Sequence, residues 1–121
     1  MKSDNAVMVR WGLPPPGREH RALEVLRGMT DYFVSVQAAG RITGFQQFGY
    51  NTGPLHERAG FVIVEGSREQ MQAFLYSDDF REEVRRMALV TTNLSVDVLD
   101  FGAAVKPRLD AWDASVQELK K

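Results

Sequence analysis

The sequence predicts an α+β domain of the ferredoxin-like kind: elements in the order β-α-β-β-α-β, a four-stranded antiparallel sheet, and both helices on one face. Three observations predict it. Four short segments, near residues 6–11, 42–50, 59–65 and 94–101, carry strand patterning. Two longer segments with apolar residues at steps of three and four separate the first strand from the second and the third from the fourth. Turn chemistry alone joins the second strand to the third, so the two β-α-β units meet at a hairpin, and right-handed crossovers put their helices on the same side.

The first strand spans Ala6 to Trp11, with Val7, Val9 and Trp11 on one face and Ala6, Met8 and Arg10 on the other. Three prolines follow at 14–16, which supply no backbone donors and mark a connection. From Arg18 to about Ala39, Ala22, Val25, Leu26, Met29, Phe33 and Val36 form one helical stripe, and Gly40 supplies the stop. Ile42 to Tyr50 is aromatic and β-branched, and its glycines at 44 and 49 predict a bulge at one or the other. Asn51-Thr52-Gly53-Pro54 turns the chain, and Ala59 to Glu65 holds Phe61-Val62-Ile63-Val64, a run too short for a helix.

Ser67-x-x-Gln70 has the spacing of a capping box, followed by Met71, Phe74 and Leu75. The stripe pauses at Ser77-Asp78-Asp79, where a break is predicted, and Asp79-x-x-Glu82 has the spacing to cap a second segment carrying Val84, Met87 and Ala88. Leu94 to Phe101 alternates as the fourth strand. Residues 6–102 therefore make one domain, and 103–121 form a tail whose Leu109, Trp112, Val116 and Leu119 predict a short amphipathic helix over 108–119 that needs a protein surface to hold it.

Composition removes several functions. With 15 Lys+Arg against 16 Asp+Glu there is no net field to attract phosphate backbones or anionic lipid, so nucleic acid and membrane are excluded as expected partners. No cysteine is present, which removes disulfides and thiolate chemistry and places the expected setting in the cytoplasm. The two histidines, His20 and His56, have no metal-ligand spacing, and no phosphate loop, dinucleotide fingerprint or nucleophile elbow occurs. No metal or cofactor is expected.

On the face away from the helices the alternation puts Met8, Phe61, Ile63, Leu99 and Phe101, too much apolar surface to leave wet. A second sheet is the natural cover, and a homodimer is the expected assembly. Gly40-Arg41-Ile42-Thr43-Gly44-Phe45, Phe61-Val62-Ile63-Val64-Glu65-Gly66-Ser67 and Phe74-Leu75-Tyr76-Ser77-Asp78-Asp79-Phe80 carry a resemblance over about residues 6–102. In these stretches the chain resembles the dimeric α/β-barrel superfamily, and within it the antibiotic-biosynthesis-monooxygenase-like domains. Relatives often place a Pro-His pair between the serine and the phenylalanine of the last stretch, and here Asp78-Asp79 stands there. The resemblance implies a cofactor-independent oxygenase or isomerase acting on an aromatic or enolic substrate.

The polar residues expected inside such a barrel are Arg10 and Asp97, on neighbouring strands with their side chains on the helix-free face. An Arg10–Asp97 ion pair stitches the sheet or the dimer seam in one reading. In the other, Arg10 binds an anionic or enolic oxygen, Asp97 orients it, Phe61 and Phe101 line the pocket, and one glutamine of the second strand, Gln46 or Gln47, turns inward, with Gln47 the one expected at the site. Asp79 lies where relatives often place a side chain near the cavity, though its capping position accounts for it. The alternative to an enzyme is a noncatalytic ligand-binding or interaction domain that uses the barrel for dimerisation.

Overall fold

A computed structural model describes residues 3–120. The alternating segments become β1 (Asn5–Trp11), β2 (Gly44–Gly49), β3 (Gly60–Gly66) and β4 (Ser95–Asp100). Between them lie α1 (Glu19–Ala38), then α2 (Arg68–Leu75) and α3 (Asp78–Val90), and a 3-10 turn at Gly102–Ala104 leads into α4 (Val105–Leu119). The sheet has the order β2-β3-β1-β4 with every pair antiparallel, the ferredoxin-like arrangement.

Helix ends follow local chemistry. Gly40, at φ 75°, closes α1: its amide donates to the Gln37 carbonyl and the Arg41 amide to that of Val36, the paired bonds of a glycine C-cap. Ser67 and Gln70 form the predicted box, with Ser67 Oγ accepting from the Gln70 amide at 3.1 Å and Gln70 Oε1 from the Ser67 amide at 2.8 Å. The predicted break falls between α2 and α3. Ser77, not Asp79, is the N-cap residue of α3, and its hydroxyl donates back to the Phe74 carbonyl at 2.7 Å rather than capping the helix. Asp78 and Asp79 instead occupy the first turn, where carboxylates oppose the helix dipole.

The core lies on the helix side of the sheet. Val7, Val9, Val62 and Val64 point into Met29, Phe33, Phe74 and Met87, all essentially sealed from solvent. The expected bulge in β2 is absent: pairing runs without a skipped residue from Gly44 opposite Glu65 to Gly49 opposite Gly60. Gly60 is needed for a different reason, since a Cβ there would sit 2.8 Å from the Trp11 ring and 2.9 Å from the Phe48 carbonyl oxygen.

The tail helix starts at Val105 rather than 108, and Pro107 sits harmlessly in its first turn, where amides have no helical partner. No residue of α4 is buried, and Leu109, Trp112 and Leu119 are 59%, 70% and 86% exposed. The expected docking of this stripe does not occur on its own protomer. No helix among the described residues is long and apolar enough to cross a membrane.

Candidate functional site

Strand register sorts the helix-free face into three rows across β2, β3, β1 and β4. The first is Gly44, Glu65, Ala6 and Leu99; the second Gln46, Ile63, Met8 and Asp97; the third Phe48, Phe61, Arg10 and Ser95. Glu65 therefore stands between a glycine and an alanine, and the missing side chains open a cradle of about 430 Å³ above it. Gln46, Phe48, Ile63, Leu99 and Phe101 complete its walls. Phe101 reaches this place because its amide donates to the Asp4 carbonyl at 3.0 Å, extending the β1–β4 ladder by one residue. Gly102 at φ 58° then turns the chain away.

Two carboxylates border the cradle, and their situations differ. Asp100 accepts from Asn5 Nδ2 at 2.6 Å and pairs with Arg108 at 3.0 Å. Glu65 is half-buried, and among the described residues no hydrogen bond or ion pair reaches its side chain. A partly desolvated carboxylate without a donor is costly unless something else supplies one.

The five residues expected to form the site divide. Phe101 lines the cradle, while Phe61 lies in the third row, stacked on Phe48 with ring centroids 4.6 Å apart and tilted against Tyr50 at 5.6 Å. Arg10 is on the expected face but directly opposite Phe61 and Ser95, away from the cradle. Asp97 is opposite Met8, one row from Arg10, and its carboxylate accepts from Ser95 Oγ at 3.3 Å; the expected Arg10–Asp97 ion pair does not form. Gln47 faces the other way. Its partner across the ladder is the core residue Val62, and its amide donates to Thr30 Oγ1 of α1 at 2.9 Å, so Gln46 is the glutamine on the open face.

Glu65 is the cradle residue that sequence reasoning missed, and Gln46 rather than Gln47 is the glutamine on the open face. Glu65 shares the parity of Phe61 and Ile63, which was a visible signal. What makes it a site, the small residues on both sides, depends on inter-strand register and is invisible along the chain.

A second polar cluster lies on the helix side. Arg41, turned by the Gly40 cap, meets Asp79 through two guanidinium nitrogens at 2.5 and 2.9 Å, and Tyr32 donates to the same carboxylate at 2.8 Å. The guanidinium holds the Asp79 carboxyl well below the usual carboxylate range, and burial together with the Asp79 bond pushes the Tyr32 phenol up. Every strong acceptor here is occupied, so the cluster ties the end of α1 to the start of α3. A larger concavity, about 610 Å³ between α1 and α3, is a solvated cleft lined by Arg21, Glu24, Glu83 and Arg86, which pair along their own helices.

His56 is exposed, and its role is carried by its backbone: the carbonyl accepts from Thr92 Oγ1 at 3.1 Å and Asn93 Nδ2 at 2.9 Å. His20 pairs with Glu24 on the surface of α1. Among the described residues no cluster of acids and histidines is placed to hold a metal ion.

No family model matches the chain, and no curated protein matches it significantly. Solved structures do. A dimeric protein of unknown function with a ferredoxin-like fold from Bacteroides fragilis is 12% identical, with a TM-score of 0.61 over 80% of this chain and 95% of that one. A dimeric ferredoxin-like protein of unknown function from Jannaschia is 11% identical, with a TM-score of 0.58 over 84% and 100%. A protein of unknown function from Bacteroides thetaiotaomicron, described as a possible oxidoreductase, is 17% identical, with a TM-score of 0.52 over 82% and 96%. At these identities the likeness is one of fold, and the fold of this chain is ferredoxin-like.

Proposed function

We propose that the chain works as a homodimer whose two helix-free sheet faces meet and enclose a small aromatic or enolic molecule at the cradle around Glu65. The observation that carries this reading is the cradle itself, about 430 Å³ of space on a sheet face that no helix covers. Ligand sites of this size are mostly apolar with a few polar groups fixing orientation, which is the composition of Ile63, Leu99 and Phe101 beside Glu65 and Gln46. Met8, Phe61 and Phe48 supply the remaining apolar surface of the face, and the similar folds from Bacteroides fragilis and Jannaschia are dimeric.

The chemistry that fits is the cofactor-independent oxygenase or isomerase kind implied by the likeness to antibiotic-biosynthesis-monooxygenase-like domains. A substrate able to stabilise its own carbanion needs an apolar enclosure, a proton acceptor and a donor at the developing oxyanion. In this reading Glu65 is the acceptor and the Gln46 amide the donor.

Sedimentation at micromolar concentration tests the assembly, and ligand-detected NMR with small aromatic compounds tests the cavity. A Cβ at Gly44 would make only ordinary contact, 3.6 Å from Glu65 Oε1, so Gly44→Leu fills the cradle without straining the strand. The expected result is a dimer that binds aromatics in the wild type and loses that binding in Gly44→Leu. A monomer, or binding indifferent to Gly44→Leu, overturns the proposal.

A further inference from the structure

We infer that the cradle selects an aromatic ligand bearing a hydrogen-bond donor, an O–H or N–H presented to the Glu65 carboxylate, and discriminates against anionic ligands. The inference rests on the cavity reading above and adds the ligand's chemistry.

Of the two carboxylates at the cradle, Asp100 is already satisfied by Asn5 and Arg108. Glu65 is not, and its immediate neighbours across the sheet, Gly44 and Ala6, bring no polar atom to it. Arg10, on this face, is two rows away beside Phe61, Arg58 stacks over Tyr50 beyond it, and neither lines the cradle. An incoming anion would meet a bare carboxylate among apolar walls, where like charges repel with little screening. An incoming donor would form a charge-assisted hydrogen bond, about twice as strong as a neutral one, with a group that otherwise stays unpaired as the cavity closes. Gln46, in the next row beside Ile63, can then accept from or donate to a second polar atom of the ligand. The flat walls set by Phe101, Leu99 and Ile63 leave the ligand's ring to apolar contact alone.

The test is a titration of the full-length protein at neutral pH with 2-naphthol, its methyl ether 2-methoxynaphthalene, and 2-naphthoate, read by ligand fluorescence and by backbone amide shifts at Gly44, Glu65 and Leu99. The expected order is 2-naphthol at least about tenfold tighter than the ether, with 2-naphthoate weakest. Glu65→Leu should bring 2-naphthol and the ether to within about twofold by removing the acceptor, and Glu65→Gln, which keeps a neutral acceptor, should fall between them. Equal binding of 2-naphthol and its ether by the wild type, or a preference for 2-naphthoate, overturns the inference and leaves the cavity standing, because the amide shifts still report occupancy. If a folded wild type binds none of the three, the cavity reading falls and this inference falls with it.

Discussion

Residues 63 and 64 are neighbours in one strand and belong to different environments. Val64 points into the helix layer and is fully sealed, between Val7 and Phe45 across the sheet; Ile63 points to the helix-free face, between Met8 and Gln46, and is only half-buried. The helix side packs around Phe33, Phe74, Met29 and Met87, and only its β4 margin, at Val98, stays open. The other side is largely apolar and carries, among the described residues, three charged side chains with no ion-pair partner, Glu65, Asp97 and Arg10. Alternation along a strand thus separates two faces: one is sealed under the helices, and the other is left open for the proposed pairing and binding.

The sharpest way to break that division is to place the same charge at both positions. Val64→Glu buries a carboxylate with no partner in the core and is expected to cost more than about 4 kcal/mol, a large fraction of the roughly 5–15 kcal/mol that holds an ordinary domain together. Ile63→Glu is expected to leave a folded protomer and to abolish the dimer, because a two-fold interface meets each substitution twice. Circular dichroism and sedimentation separate the outcomes, and an Ile63→Glu protein that stays dimeric removes the proposed pairing.

Phe33→Ala probes the sealed face without adding charge. Its ring is 1% exposed and touches those of Tyr32, Phe45 and Phe74 at centroid distances of 5.5 to 6.3 Å. Truncation should cost about 3–5 kcal/mol in a denaturant titration, through lost burial and the cavity left behind.

The sealed face was legible in the sequence and the open face only in part, for a physical reason. Period-two alternation in β1 and β3 and the stripe of α1 fix which side chains meet the helices, so Val7, Val9, Val62, Val64, Met29 and Phe33 follow from the pattern alone. The capping box at Ser67 and the glycine stop at Gly40 are likewise local. The site is not. Whether Gln46 or Gln47 turns outward depended on β2 having no bulge, and the separation of Phe61 from Phe101 depended on inter-strand register. The Arg10–Asp97 pair failed because the two residues lie in adjacent rows, with Ser95 closer in sequence to take the carboxylate. Asp79 sits where a cap is legible, but its partner Arg41 lies 38 positions away in the chain.

That Arg41–Asp79 pair gives a smaller, pH-dependent effect. Both side chains are more than a third exposed, at 38% and 44%, so solvent screening limits the pair to about 1 kcal/mol. Asp79 is held below its unfolded pKa of about 3.9, so its contribution is complete above that value and is lost as pH falls toward the depressed folded value. Tyr32, pushed up, works in the opposite sense: its contribution is present below about pH 10 and declines above it. Stability of the wild type minus that of Asp79→Asn should therefore be flat near neutrality and shrink below about pH 4. Glu83, raised by its burial, is common to both proteins and largely cancels in the difference. A difference that grows on acidification contradicts the assignment.

The smallest effect is expected from α4, although its stripe resembles that of α1 in spacing. α1 buries Ala22, Met29, Phe33 and Val36, whereas α4 buries nothing and is tied to the domain through the Arg108–Asp100 ion pair and the turn that leads into it. Fifteen residues lie near the lower limit for a helix that holds itself in water, with the Lys106–Asp110 pair at 2.8 Å adding a few tenths of a kcal/mol. Ending the chain at Ala104 should therefore lower Tm by less than about 2 °C. The two tryptophans offer an independent measure, since Trp11 is 9% exposed and Trp112 is 70% exposed. Iodide should quench the Trp112 emission freely in the full-length protein at every concentration. Protection of Trp112 that rises with concentration, together with a larger fall in Tm on truncation, would mean that a second copy covers the Leu109–Leu119 stripe, and that α4 belongs with the open sheet face among the parts of this chain completed by assembly.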